Sequence, residues 1–262
     1  KLRNTSNGGG LTNSNTGGEN HFTIITISDT PIDTTLIWVG TDDGNVQVTK
    51  DNGDTWHNVK NNIDGIPEKI WVSRVEASKH SKGRAYVSFD NHRFDDNKPY
   101  VYVTEDYGNT WSDISSNLPQ DYSVYVVKED YVDENLLFVG TEKSVYFSND
   151  RGTTWEKLGS NLPTVAIHDL VIHPRDGDLI AGTHGRSIWI LDDISPLRFL
   201  NEKEDKLLPI RISTKWVKIN TGRKQPYFEF RGENPPYGTI INYFSTINTE
   251  GELIISKNKI DD

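Results

Sequence analysis

Short apolar runs separated by turn residues dominate the chain. The runs are about four to seven residues long and rich in Val, Ile, Tyr, Phe and Trp, as in β-strands. Nowhere do apolar residues recur at i, i+3, i+4 and i+7 over three turns, as an amphipathic helix requires. The pattern therefore predicts an all-β chain, with strands at Thr23–Ile27, Leu36–Val39, Ala85–Phe89, Tyr100–Thr104, Ser123–Val127, Leu136–Val139, Ser144–Phe147, Asp169–Ile172 and Ser187–Leu191.

One octapeptide pattern occurs three times in the chain. Thr49–Trp56 recurs as Thr104–Trp111 and Ser148–Trp155, with the pattern [ST]-x-D-x-G-x-T-W and Trp-to-Trp spacings of 55 and 44 residues. In a hairpin turn the Asp carboxylate can accept hydrogen bonds from backbone N–H groups, and Gly supplies a positive φ. The Trp can pack beneath the turn. We expect these structural roles for Asp51, Gly53, Trp56, Asp106, Gly108, Trp111, Asp150, Gly152 and Trp155.

The octapeptides resemble the Asp boxes of bacterial neuraminidase repeats. In that family the boxes sit on β-propeller blades, so the resemblance implies four-stranded blades. A Gly-Thr dipeptide, here called the Gly-Thr echo, recurs at Gly40, Gly140 and Gly182 and supports the same division into blades. We expect about four blades, at residues 22–60, 70–115, 123–159 and 166–194. The fourth lacks an Asp box and is a degenerate repeat, as terminal repeats often are.

Other segments resemble bacterial sortilin-like proteins: Glu19–His21, Trp38–Asn45, Trp71–Ser78 and His168–Arg175. Those proteins are often labelled glycosyl hydrolases, although fold does not imply function. The resemblance implies an exported protein, secreted or at the cell surface, with further blades upstream. We accordingly interpret the chain as a fragment of a longer parent.

This interpretation gives three regions. Residues 1–20, of which fifteen are Gly, Asn, Ser or Thr, form an extended lead-in. Residues 21–198 form the propeller, and 199–262 a linker and the start of a β-sandwich with strands at Leu208–Ile212, Tyr227–Arg231, Thr239–Phe244 and Leu253–Ser256. Four blades alone leave open sheet edges. We therefore expect the first blade to face a second chain or other blades of the parent.

Composition excludes several classes of function. With 28 Lys+Arg against 38 Asp+Glu, the net charge of −10 disfavours a nucleic-acid partner. No run approaches 18 apolar residues, so no membrane span is predicted. The absence of Cys removes disulfides and thiolate metal sites. We predict no cofactor, and no metal, because no two histidines have the i, i+2 or i, i+4 spacing of a shared ligand set.

Polar and charged residues near predicted strand ends are the binding candidates. Several histidines lie beside charged partners, where propellers place their binding surface; bridging of neighbouring blades by hydrogen bonds is the alternative. The candidates are Glu19, His21, Arg74, Asp90, His92, Arg93, His168, His184 and Arg186. Tyr107, Tyr122 and Tyr237 are aromatic candidates for stacking on sugars.

Catalysis requires more than the Asp boxes offer, since their carboxylates are engaged in turns. A glycosidase needs two carboxyl groups across a bound sugar, and Glu76 and Asp169 are the candidates for that role. We predict a module that binds a protein, peptide or glycan. The alternatives are a sialidase- or xyloglucanase-like glycoside hydrolase acting on extracellular polysaccharide, and a rigid architectural spacer.

Overall fold

The computed structural model describes residues 23–159, 161–212 and 238–246, and the chain divides into two compact units, 1–198 and 199–262. The first unit contains four antiparallel sheets, here called blades 1 to 4. Their strands are β1 (Ile24–Thr30), β2 (Asp33–Thr41), β3 (Val46–Thr49) and β4 (His57–Asn58); β5 (Trp71–Ala77), β6 (Ala85–Asn91), β7 (Asp96–Thr104) and β8 (Ser112–Asp113); β9 (Val124–Glu129), β10 (Leu137–Thr141), β11 (Val145–Ser148) and β12 (Glu156–Lys157); and β13 (Ile167–Ile172), β14 (Leu179–Thr183) and β15 (Ile188–Leu191).

The predicted fold class, all-β with four-stranded propeller blades, is confirmed. In each blade the strands pair in chain order, and the first strands of successive blades lie side by side, so they are the innermost. In the described part of the chain the only helical segments are 3₁₀ turns, at Lys60–Asn62, His92–Phe94 and Ser195–Phe199. The predicted blade limits stay a prediction.

Three apolar clusters join the blades in sequence. One lies between blades 1 and 2 around Trp38 and Phe89, one between blades 2 and 3 around Tyr86 and Leu137, and one between blades 3 and 4 around Phe138. Because side chains alternate across a strand, each blade presents one face to the blade before it and the other to the blade after it. We call these the leading face and the trailing face.

The Gly-Thr echo marks the places of closest approach between blades. A Cβ atom on Gly40 would collide with Val72 on the next blade's inner strand, and one on Gly140 would lie 2.8 Å from Ile167 Cγ2. Only glycine leaves room for the next blade at these positions. Hydroxyl groups complete the first of these interfaces, since Thr26 Oγ1 accepts from Val75 N–H at 3.2 Å.

The outer faces of the first and last blades are exposed. Ile27 on blade 1 is 65% exposed, and Ile188 on blade 4 is 66% exposed. These faces therefore do not pack against each other, and the described residues of the first unit form an open series of blades.

The three Asp boxes share one hydrogen-bond pattern. In the first box, Asp51 Oδ1 accepts from Thr55 N–H at 2.8 Å, and the hydroxyl of Thr49 donates to the same oxygen at 2.7 Å. Gly53 has φ of 99°, and the preceding Asn52 also has a positive φ, 57°. These bonds lower the pKa of Asp51 to about 2, so the carboxylate is ionised and engaged in the turn.

The tryptophans of the boxes differ in burial. Trp155 is 4% exposed and donates from Nε1 to Ile114 O at 2.7 Å, whereas Trp56 is 41% exposed. Trp111 lies between, with its ring 6.1 Å from that of Trp38 on blade 1. Trp56 packs back on its own turn, with Nε1 donating to Gly53 O at 3.1 Å, although much of the side chain stays exposed. Trp111 and Trp155 pack toward the preceding blade, and blade 1 is the first in the series.

In the second unit the described residues contain one strand pair, β16 (Lys206–Leu207) with β17 (Tyr243–Phe244). The predicted strand at Leu208–Ile212 is wrong: only the two residues before it pair, and Pro209 has no N–H to donate to a ladder. The predicted strands Tyr227–Arg231 and Leu253–Ser256 lie outside the described residues, so the sandwich stays a prediction.

Candidate functional site

Polar and aromatic side chains gather at one end of the inner strands of blades 2 to 4. Strand register places this group together: Trp71 pairs with Asp90 at one end of blade 2, and Ile167 pairs with Thr183 at the corresponding end of blade 4. We call this end the ring end, after the row of rings described next.

Four rings run from blade 2 to blade 4. His92 meets Tyr125 edge to face at 6.3 Å between centroids, and Tyr125 stacks on His168 at 4.6 Å and 8°. His184 follows, 5.1 Å from His168 and tilted by 39°. Offset and edge-to-face contacts are the favoured geometries for aromatic pairs. Because His92, His168 and His184 are all exposed, the row presents ring surface to solvent.

A carboxylate fixes the first ring of the row. Asp90, 8% exposed, accepts from the backbone N–H of His92 at 3.1 Å, and its Oδ2 lies 2.5 Å from His92 Nδ1. The imidazole of His92 is 44% exposed. The buried carboxylate thus orients an exposed ring.

An ion pair crosses from blade 2 to blade 4. Arg74 Nη2 lies 2.6 Å from Asp169 Oδ1, with side-chain exposures of 28% and 54%. Arg74 Nε is buried and has no hydrogen-bond partner. Nearby, the guanidinium of Arg93 lies 3.6 Å from the centroid of the Trp71 ring, a cation–π contact. The site therefore carries both signs of charge.

Burial shifts the pKa values of two of the rings. Burial, with help from the charges of Asp90 and Glu142, raises the pKa of Tyr125 to about 12, so the phenol keeps its proton. Burial, then repulsion from His184, lowers the pKa of His168 below its usual 6.5. At neutral pH His168 is a neutral imidazole, able both to donate and to accept.

The structure brings together most of the predicted binding residues: Arg74, Asp90, His92, Arg93, His168 and His184. Arg186 lies in the exposed turn after His184, where its N–H donates to Thr183 Oγ1 at 3.2 Å. Glu19 and His21 lie outside the described residues. Their roles in ligand binding stay predictions.

The two catalytic candidates are not equally accessible. Glu76 is 3% exposed, and its Oε2 lies 2.9 Å from Lys128 Nζ, so it belongs to a buried ionic group. Asp169 is at the ring end but paired with Arg74.

In the described ranges, no group of three or more His, Asp or Glu side chains could hold a metal ion. No helix among the described residues is long and apolar enough to cross a bilayer.

Sequence reasoning missed Tyr125 and Trp71. Tyr125 follows Val124, the partner of Thr141, just as His168 follows Ile167, the partner of Thr183. Aligning the blades on their Gly-Thr echoes would have found it. The tyrosines chosen from sequence are different: Lys50 lies over the ring of Tyr107 at 4.2 Å, and Lys143 over that of Tyr122 at 4.1 Å. Tyr237 lies outside the described residues.

Comparison with known proteins bears out the resemblance stated above. Residues 99–196 match the family described as "Sortilin, neurotensin receptor 3,". No curated protein sequence matches the chain. The chain is therefore similar to sortilin-like propeller proteins over that stretch.

Parts of several solved structures are similar to this chain. The GH74 xyloglucanase from Xanthomonas campestris matches with a TM-score of 0.50 and 13% identity, over 64% of this chain and 29% of that one. YCF48 bound to D1 peptide matches with a TM-score of 0.48 and 19% identity, over 66% of this chain and 52% of that one. The GH74 enzyme from Niastella koreensis has a TM-score of 0.47 and 13% identity, over 65% and 24%. The chain spans about half or less of the length of these proteins.

Proposed function

We propose that the first unit is a binding module, and that the ring end receives a peptide or a glycan. The observation that carries this proposal is the row of four rings across three blades, with His168 exposed between Tyr125 and His184. Flat rings offer stacking surface to sugar rings and to apolar side chains. Packing between blades does not require these rings to be exposed to solvent.

The polar groups beside the row support recognition of a ligand with hydrogen-bonding groups. Arg74 Nε is a buried donor without a partner, and such groups normally find one. The Asp90–His92 and Arg74–Asp169 pairs flank the rings. A few convergent polar groups among aromatic surfaces are typical of ligand sites.

An array experiment tests the proposal. The full chain is applied to immobilised plant and bacterial oligosaccharides and to a peptide array, with Tyr125→Ala, His168→Ala and, as matched control, His173→Ala, a half-buried histidine on the loop after β13. We expect the first two variants to lose at least about tenfold in affinity, equivalent to about 1.4 kcal/mol, and the control to match the wild type. The array that binds identifies the ligand class.

Binding unaffected by Tyr125→Ala and His168→Ala would place the contact surface elsewhere, and an absence of binding on both arrays would contradict the proposal. The glycoside hydrolase alternative has one supporting observation, the presence of two carboxylates, Asp90 and Asp169, at the ring end. New reducing ends released from the same oligosaccharides, and abolished by Asp169→Asn, would favour it. Secretion or surface location is proposed only on the resemblance to exported sortilin-like proteins.

A further inference from the structure

Two histidines lie side by side at the ring end of blade 4. Ile167 on β13 pairs with Thr183 on β14, and His168 and His184 are the residues that follow them. The N–H of His184 donates to Ala166 O at 2.9 Å, and the two imidazole centroids lie 5.1 Å apart. Because both residues belong to one sheet, their proximity follows from the strand register of blade 4 alone.

The separation of the two rings fits a shared metal ion. Imidazole nitrogens bind Zn²⁺ at about 2.0–2.1 Å, so two imidazoles at the tetrahedral angle around one ion have their centroids about 5 Å apart. The rings of His168 and His184 have this separation. The spacing of histidines along the chain does not reveal the pair, because its two members lie on different strands.

The ring nitrogens of this pair are not engaged by protein groups. At the same end, His92 Nδ1 lies 2.5 Å from Asp90 Oδ2, and elsewhere His80 Nε2 lies 2.7 Å from a backbone carbonyl oxygen. His168 and His184 make ring contacts instead, and within the described ranges nothing is hydrogen-bonded to their ring nitrogens. Both residues are exposed, so an ion from solution can reach them.

His168 is also kept in the form that binds a metal. A histidine must be neutral to act as a ligand. Burial, then repulsion from His184, holds the pKa of His168 below its usual 6.5, while Asp90 adds a negative charge nearby. Tyr125 stacks on the ring at 4.6 Å between centroids. The imidazole is therefore neutral at neutral pH, and the stack limits its rotation.

We propose that His168 and His184 together bind a divalent transition-metal ion, with water completing its coordination shell. Imidazole suits Zn²⁺, Ni²⁺ and Cu²⁺, and affinity normally is highest for Cu²⁺. Mg²⁺ and Ca²⁺ prefer oxygen ligands. Since the described residues offer no third His, Asp or Glu ligand, two side chains hold the ion and it exchanges with solution. The site does not depend on the proposed peptide or glycan ligand.

Isothermal titration calorimetry of the untagged full chain at neutral pH tests this proposal, with CuCl₂, ZnCl₂ and MgCl₂ as the probes. We expect one Cu²⁺ or Zn²⁺ per chain, with Cu²⁺ the tighter, and no binding of Mg²⁺. His168→Gln and His184→Gln should each lower the affinity for both ions at least about tenfold. The matched control is His173→Gln, since the His173 ring already contacts Asp176 at 3.1 Å; it should bind as the wild type does.

Electron paramagnetic resonance of the Cu²⁺ complex gives a second readout. The wild-type spectrum should show coupling to two imidazole nitrogens, and that of His184→Gln to one. The substituted residues are exposed, so both variants should fold, and circular dichroism checks their β-sheet content. The proposal would be overturned by a wild-type chain that binds neither Cu²⁺ nor Zn²⁺ saturably. A wild-type spectrum with fewer than two nitrogens, or affinities unchanged by His168→Gln and His184→Gln, would overturn it as well.

Discussion

Blades 2 and 3 are polar at both ends of their inner strands, but the two ends are built differently. At the ring end, exposed rings and half-exposed ion pairs face solvent. At the opposite end, which we call the ionic end, Glu129 has 0% side-chain exposure and accepts from Ser78 Oγ at 2.9 Å, Lys79 N–H at 2.6 Å and Tyr86 OH at 3.0 Å. The ionic end uses its polar groups to join blades, whereas the ring end leaves polar and aromatic surface available for a ligand.

The ionic end extends this pattern with arginines. Arg84, 6% exposed, donates to Glu105 at 2.9 Å and to Glu134 at 2.8 Å, and Arg198 holds the buried Asp130 at 2.7 Å. Burial and the nearby Glu129 carboxylate raise the pKa of Tyr86 well above its usual range. A buried charge is tolerated only when its partners are in place, so this end should be the more sensitive to substitution.

The largest expected effect is therefore at Glu129. Glu129→Ala would leave the Tyr86 hydroxyl, the Ser78 hydroxyl and the Lys79 N–H without their acceptor, and we expect a loss of about 3–5 kcal/mol in the free energy of unfolding. Urea unfolding followed by circular dichroism measures it. Glu156→Ala, at an exposed glutamate of β12, is the control and should change stability by less than about 0.5 kcal/mol. A loss below about 1 kcal/mol for Glu129→Ala would show that the ionic end does not hold the blades together.

A smaller effect is expected at the ring end. Asp90→Asn keeps an acceptor for the His92 N–H but removes the charge that holds the imidazole, so we expect a loss of about 1 kcal/mol in unfolding free energy. Urea unfolding compares Asp90→Asn with Asp54→Asn as the control. Asp54 is an exposed aspartate at a variable position of the first Asp box, so the control measures the effect of losing one negative charge. A loss as large as that of Glu129→Ala would erase the distinction between the two ends.

A structural feature could be predicted from sequence when the residues that form it lie close together along the chain. The octapeptides are local, so their Asp hydrogen bonds and glycine conformations followed from the pattern alone. Strand β5 was harder to recognise as an apolar run, because Arg74 and Glu76 interrupt it; both are matched by partners distant in sequence, Asp169 and Lys128. The role of a charged residue within a strand can be interpreted only when its partner on another blade is known.

The candidate site shows the same division. Asp90 and His92 are neighbours in sequence, and their contact could be anticipated. The stacking of Tyr125 on His168 joins two blades and depends on their relative position, which the sequence does not display. The burial of Trp155 and the exposure of Trp56 likewise depend on whether a blade precedes the box, not on the box itself.

The smallest effect concerns pH at the ring end. The pKa of His168 is lowered chiefly by burial and then by His184, with His92 also unfavourable and Asp90 opposing. A base with a lowered folded-state pKa binds protons more weakly than in the unfolded chain. Stability is therefore complete above pH 6.5 and falls as the pH drops from 6.5 toward the lowered value.

Proton NMR titration of the His168 imidazole should give a pKa below 6.5. His184→Gln should raise that pKa, since it removes the neighbouring positive charge, and His173→Gln should leave it unchanged. Urea unfolding of His168→Gln should show a weaker dependence on pH below 6.5 than the wild type. A His168 pKa at or above 6.5 would mean that the ring does not keep its contacts with Tyr125 and His184 in solution, and the ring end would then lose the stacked row on which the proposed binding depends.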